Sequence, residues 1–440
     1  MIRMVGRLAA MAVGALVGLS FALEPSDAQT PNNGNVAFTG ARIIDGTGKA
    51  PIENGTVVVT NGRITAVGPS ASVTVPAGVT TINAAGKTII PGLINGHGHV
   101  TIDDYTKLPP RQHMLQILQA YAEYGITTTT SLGSTTLADE TEQLKIRDEQ
   151  RKGTPPDRAR LFSAGMNAIG KNPEEARQSV VRLANVKADL IKYHINGNAK
   201  DMTPDTYGAI VDESKKRGLT TTVHIFNLKD AKSAIEKGTN SLVHSVRDQD
   251  VDQELIDMMK RNNVSYIPTL TRDLSVFVYE TEPAFWQEPF FQKGMYVYKT
   301  QVDILKDAKM QEEARNSPAV QRIKVALQQA NRNLKRLSDA GVTIGMGTDT
   351  ASPNDLGRWP GYFEHTEMEM MAQAGMTPMQ VLVAATSGNA RIFKLDNVGS
   401  IAVGKDADLV VLSANPLENI RNTRQIDSVW IGGRRIPASR

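Results

Sequence analysis

The chain has 440 residues, 40% hydrophobic and 22% charged, enough for one large domain with a smaller one beside it. Forty-nine basic residues against 46 acidic ones leave a net charge of +3, which gives no electrostatic reason to expect nucleic acid or an anionic membrane as partner. There is no cysteine, which excludes a disulfide framework and a lipid-anchored cysteine.

In chain order, Arg3 and Arg7 precede an apolar run, Leu8 to Leu23, followed by Ser26-Asp27-Ala28. A basic start, an apolar run and a small-x-small site predict a signal peptide over 1–28, cleaved near Ala28. That predicts export to the periplasm or beyond, with no membrane attachment in the mature form. A polar linker (29–34) leads to short β-like runs, 41–45, 55–60, 63–67 and 73–75, with Asn61-Gly62 as a two-residue hairpin signal.

From Ile89 the texture changes to apolar strand, then helix-period segment, repeated. The first strand ends in His97-Gly98-His99. Helices are predicted over 111–124, 138–152, 173–185, 203–217, 228–237 and 253–262, and between them strands at 125–132, 159–164, 188–195, 219–225, 241–246 and 264–270. An insertion follows, over 271–337, and the last strand is predicted at 342–349. Eight strand–helix units over about 300 residues predict a (β/α)8, TIM-like barrel over 91–394. No Gly-x-Gly-x-x-Gly follows the first strand, which argues against a dinucleotide fold. After Val398 the β texture returns at 407–412 and 427–436. The two ends, 35–90 and 395–437, are therefore expected to form one small β-sandwich domain.

Polar outliers gather at the strand ends. His97 and His99 sit at positions i and i+2, which in a strand point to one side and suit a metal such as Zn2+. Lys192, His224, His244 and Asp349 lie near the ends of later strands, and in a barrel these ends converge on one mouth. His194, Tyr266 and Arg272 are candidates for substrate contact, Arg272 because a guanidinium can take a carboxylate in bidentate fashion. His113 and His365 are expected to be structural. The aromatic-rich start of the insertion, Phe277 to Tyr298, fits either a lid over an apolar pocket or packing, and 306–336 reads as a solvated helix.

These motifs together resemble the amidohydrolase superfamily, in particular its imidazolonepropionase-related branch with Xaa-Pro dipeptidases and ochratoxin-type amidases. The resemblance is carried by Pro91-Gly-Leu-Ile-Asn-Gly-His-Gly-His99, Asp189-Leu-Ile-Lys192, Gly347-Thr-Asp349, Asn389-Ala-Arg391 and Gly399-Ser-Ile-Ala-Val-Gly-Lys-Asp-Ala-Asp-Leu409. One departure is Asn95, where a common family form has Asp. The resemblance implies two divalent metal ions, expected to be Zn2+. His97, His99 and Asp349 would hold one, His224 and His244 the other, and Lys192 would bridge them as a carbamate. It also implies a bridging hydroxide that attacks the carbonyl, with Asp349 as general base and then acid. The bridging lysine favours hydrolysis of an amide such as a dipeptide or an N-acyl amino acid. Alternatives on the same fold are a lactone or phosphotriester hydrolase and a mononuclear deaminase; from another class, a non-catalytic exported binding protein. A homo-oligomer is compatible with all of these.

Overall fold

The computed structural model describes residues 34–101, 107–153, 157–198, 200–352 and 355–437, so the expected leader lies outside the described residues. The first strands are β1 (Val36–Ile43), β2 (Ile52–Thr60), β3 (Arg63–Pro69), β4 (Thr80–Asn83) and β5 (Thr88–Pro91). β2 and β3 pair antiparallel across Asn61-Gly62, both at positive φ (51° and 76°), as a tight hairpin turn requires. The run 73–75 is not a strand; β4, which follows it, lies parallel to β1 instead.

The two ends of the chain do meet. β13 (Leu409–Leu412), β14 (Ile426–Ile431) and β15 (Arg434–Arg435) continue the same ladder, in the order β15-β14-β13-β5-β1-β2-β3, with β4 on β1. This is one eight-stranded sheet, where the sequence suggested two packed layers. Its buried residues include Phe38 and Trp430, edge to face at 5.1 Å.

Between these ends strand and helix alternate: β6 (Leu93–Gly98), α1 (Pro110–Glu123), β7 (Ile126–Ser131), α2 (Leu137–Arg151), β8 (Arg160–Ser163), α3 (Pro173–Asn185), β9 (Ile191–His194), α4 (Pro204–Lys216), β10 (Thr221–His224), α5 (Leu228–Glu236), β11 (Ser241–Val243), α6 (Gln253–Arg261) and β12 (Ser265–Ile267). Local chemistry sets the helix starts. Asn172, Thr203 and Asp252 each accept backbone N–H groups at an N-terminus, and Thr136 with Asp139 forms a reciprocal cap on α2.

The strands form two parallel sheets, β6-β7-β8 and β9-β10-β11-β12. Backbone bonds continue from one to the other. Asp189 N donates to Ser163 O (2.9 Å) and Ala168 N to Lys192 O (2.7 Å). The expected last strand at 342–349 is not a regular ladder. It touches β12 through a bridge between Tyr266 and Ile344, and β6 through one between Gly98 and Thr350.

The insertion folds as α7 (Leu270–Phe277), α8 (Pro289–Gln292), α9 (Met295–Leu305), α10 (Ala308–Asn316) and α11 (Pro318–Asp339), and α12 (Tyr362–Gln373) follows the last strand segment. Phe291 and Tyr298 are buried and pack with Trp359, Phe291 also with Tyr362, and the buried Trp286 stacks on Tyr279, so these aromatics are core. The solvated-helix expectation holds for α10, which buries nothing, and fails for α11, which buries Leu327, Ala330, Leu334 and Leu337 on one face. No helix among the described residues is long and apolar enough to cross a membrane.

Candidate metal centre

His97, His99, Lys192, His224, His244 and Asp349 line one cavity of about 270 Å³, together with His194 and Arg272. Alternation along β9 explains part of this. Lys192 turns inward, while Tyr193 is fully buried on the other side and stacks on Tyr207. His194 and His224 are partners in the β9–β10 register, and their rings stack at 4.9 Å. The His224 ring lies 4.3 Å from His244, and His244 4.7 Å from His97.

Asp349 is the hub. Its Oδ1 lies 2.8 Å from His99 Nε2 and 3.1 Å from His97 Nε2. His97, His244 and Asp349 offer donor atoms within 4.8 Å of one another. The outer nitrogens orient two of the rings: His99 Nδ1 lies 3.2 Å from the Gly133 carbonyl and His244 Nδ1 2.7 Å from Thr269 Oγ1. Asp349, His244 and Thr269 all adopt left-handed backbone (φ 61°, 67° and 49°), a strain that concentrates where strand ends present functional groups.

Burial keeps four of the imidazoles neutral. It pushes His97 and His194 down to about 3, and His224 and His244 well below the ordinary histidine value. Burial also lowers the Lys192 amine to about 7; Asp349 opposes the shift and Arg272 adds to it. The Lys192 Nζ is buried without a hydrogen-bond partner. Burial alone would raise Asp349, but Arg358, His97 and His99 hold it well below the usual carboxylate range. Neutral imidazoles, an ionised carboxylate and an uncharged amine are the forms in which these groups bind metals or CO2.

Several participants were not anticipated. Arg358 Nη1 donates to Asp349 Oδ2 at 2.5 Å and pairs with Asp355 at 2.8 Å. Arg272 leans on Asp273, which also pairs with Arg247. Asn95, the departure from the family form, is a strut. Its Oδ1 accepts from His97 N (3.0 Å), and its Nδ2 donates to Thr348 Oγ1 and Glu364 Oε1. Glu364 also takes the hydroxyls of Thr348 and Thr350, which flank Asp349.

Tyr266 does not join the cavity. It is fully buried, and its hydroxyl accepts from Val246 N at 2.9 Å inside the wall. His365 bonds Tyr124 O and Thr423 Oγ1, a structural placement, and His113 is buried on α1. No aromatic side chain of 277–298 lines the cavity.

The amidohydrolase family model matches residues 88–436. The ochratoxinase of Aspergillus niger is 26% identical over 292 residues, covering 62% of this chain and 51% of that enzyme, so the match spans about half of the relative's length. A Bifidobacterium longum protein provisionally described as a prolidase is similar in structure, with a TM-score of 0.74 at 26% identity over 92% of this chain and 95% of that one. A Xaa-Pro dipeptidase with bound methionine gives a TM-score of 0.71 at 21% identity over 91% and 99%, a likeness of fold alone.

Proposed function

The chain belongs to the amidohydrolase family, and from that premise we propose that it hydrolyses a carbon–nitrogen bond in a small amide, such as a dipeptide or an N-acyl amino acid. The observation that carries this reading is the convergence of four histidines, Asp349 and the unpartnered Lys192 amine on one cavity. This donor set fits divalent metal: nitrogen and carboxylate ligands suit Zn2+. His97, His99 and Asp349 would hold one ion and His224 and His244 a second. Lys192 lies beside both groups. Its neutral amine adds to CO2, forming an N–C bond and releasing one proton to solvent, and the resulting carbamate is anionic enough to lie between two cations. When bound, the ions polarise the substrate carbonyl and make water acidic enough to be a nucleophile near neutral pH.

The rest is the work of side chains. Asp349 takes the proton of the attacking water and delivers it to the leaving nitrogen, so no free amine anion has to form. Arg358 and the two histidines fix its carboxylate for that transfer. His194 and Arg272 face the substrate. We read the two parallel sheets and segment 342–350 as one closed (β/α)8 ring over 91–394, with 35–90 and 395–437 as a second domain. The backbone bonds between β8 and β9 and the two bridges of 342–350 support this. The 1–28 pattern supports export, checked by N-terminal sequencing of the mature protein: a start after Ala28 is expected, and an intact Met1 would contradict it.

One observation favours a second reading, a mononuclear deaminase: the compact His97, His244, Asp349 group would satisfy a single ion. A substrate screen separates the readings. Chelator-stripped protein reloaded with Zn2+ should regain cleavage of dipeptides or N-acyl amino acids. Ammonia release from amino-heterocycles without peptide cleavage would favour the deaminase. Turnover of lactones or phosphotriesters alone would move the assignment to those esters, and no turnover at all would favour a binding protein.

A further inference from the structure

A second cavity, of about 370 Å³, opens at the other end of segment 342–350 from Asp349, and it shares no lining residue with the metal cavity. Its volume falls within the roughly 300–1,000 Å³ of small-molecule sites. The floor is apolar. Val342, Ile344, Met376 and Ala384 are buried there, and Met379 and Val383 form half-buried sides. The two methionines make a wall that can adapt to the shape of an apolar body.

Local structure brings these residues together. α13 (Pro378–Val383) runs into a π-helical turn, Ala384–Gly388, and then into α14 (Asn389–Ile392). Such turns are rare and frequently mark functional sites. Gly388 lets this one press on the last strand segment, since a Cβ there would stand 2.9 Å from Ile344 O. The turn thus carries Ala384 into the floor and leaves Arg391 at the rim.

The rim is polar and one-sided. No carboxylate lines the cavity among the described residues. Arg391 is exposed, and its guanidinium makes no hydrogen bond or ion pair with any described residue. Gln380 commits its amide oxygen to Thr377 N (2.8 Å) and Thr377 Oγ1 (3.1 Å), which leaves its NH2 group as the one to offer a ligand. Ser338 and Thr343 add hydroxyls. An unpaired cation with amide and hydroxyl donors, set above an apolar floor, complements a molecule with an apolar body and one anionic head. A cationic ligand would meet Arg391 with nothing to offset it.

We propose that this cavity is a second ligand site, for a small carboxylate with an apolar tail, the tail against Ile344 and Met376 and the head at Arg391. It stands apart from the metal centre and holds whether or not the chain is a hydrolase.

The test is NMR of the protein labelled with 13C at its methionine methyls, with and without Zn2+, titrated with octanoate. The Met376 and Met379 signals are assigned from their leucine variants. Both should shift and saturate in either metal state. Hexanoate, two methylenes shorter, should bind about tenfold more weakly, and 1-octanol, which keeps the tail without the charge, about fivefold more weakly. Arg391→Leu should erase the preference for octanoate over 1-octanol. Met379→Asp, which sets a negative charge in the wall, should abolish octanoate binding as read at Met376, with circular dichroism melts confirming that both variants fold. Shifts confined to other methionines, no saturation, equal affinity for octanoate and 1-octanol in the parent, or a preference that survives Arg391→Leu would overturn the proposal.

Discussion

Glu364 offers the sharpest test of how the site is held. The carboxylate is fully buried at the start of α12 and receives four donors: Asn95 Nδ2, Thr348 Oγ1 and Thr350 Oγ1 at 2.7 Å each on Oε1, and Gly361 N at 2.6 Å on Oε2. Glu364→Ala removes both acceptor oxygens, and so the partner of all four donors, at once. The two threonine hydroxyls already lie 2.7 Å apart and can partly satisfy each other, and Asn95 keeps Thr348 at 2.9 Å. Thr350 can turn its hydroxyl to Tyr121 Oη, 2.8 Å away, so Gly361 N–H is the donor left without a partner, at about 1–3 kcal/mol lost. Glu364→Gln keeps one acceptor oxygen for the backbone N–H, so it should cost less, about 1 kcal/mol. The assay is urea unfolding followed by tryptophan fluorescence, with chelator competition for bound Zn2+. Because Asn95 fixes His97 N and the two threonines flank Asp349, metal affinity should fall by about 10–100-fold in the Ala variant. Stability of Glu364→Ala within about 0.5 kcal/mol of the parent, or a Gln variant as damaged as the Ala one, would refute this account.

Other outcomes follow from the same geometry. Arg358→Met strips the Asp349 carboxylate of a buried partner and should cost about 3–5 kcal/mol in urea unfolding, as loss of one half of a buried pair does; an unchanged midpoint would count against the pair. Gly347→Ala would put a Cβ 2.8 Å from the His97 backbone N, forcing β6 away from the last strand segment, so elemental analysis should find metal lost while circular dichroism retains the helices. Burial pushes the Glu367 carboxyl up to about 8, against the pull of Leu270 N, Thr271 N and the Thr271 hydroxyl. The folded chain therefore keeps a proton that the unfolded chain releases between about pH 4.5 and 8. Its contribution to stability is present below that window and lost as pH rises through it, and Glu367→Gln should flatten that slope in urea midpoints measured at pH 5 to 9. An identical slope in the variant would refute it.

Much of this centre can be read from the chain because its ligands sit at strand ends, where alternation and β-texture carry information. His97, His99, Lys192, His224, His244 and Asp349 do share one cavity, as that pattern implies. What cannot be read is what touches them from elsewhere. Arg358 and Glu364 come from the loop and helix after the last strand, and nothing local ties them to Asp349 or Asn95; an acid three residues past Gly361 signals only a helix start. Tyr266 shows the limit of alternation itself. A three-residue strand gives no second cycle to fix which side faces the mouth, and this side chain goes into the wall. The aromatic run of 277–298 is compositionally the same whether it lids a pocket or fills a core. Only the positions of Trp359 and Tyr362, far along the chain, decide for the core. In the fold, the last strand was expected to be regular, yet Gly345 and Gly347 pack directly against Asn389 and His97, and contact with neighbours replaces the ladder.

The central claim, that Lys192 joins two metal ions in one cavity, is tested most directly by metal stoichiometry. Protein purified with Zn2+ and bicarbonate would be compared with Lys192→Ala by elemental analysis. Two ions per chain, falling to one or fewer in the variant, is the predicted result. One ion per chain whether or not Lys192 is present, or none in either protein, would contradict it.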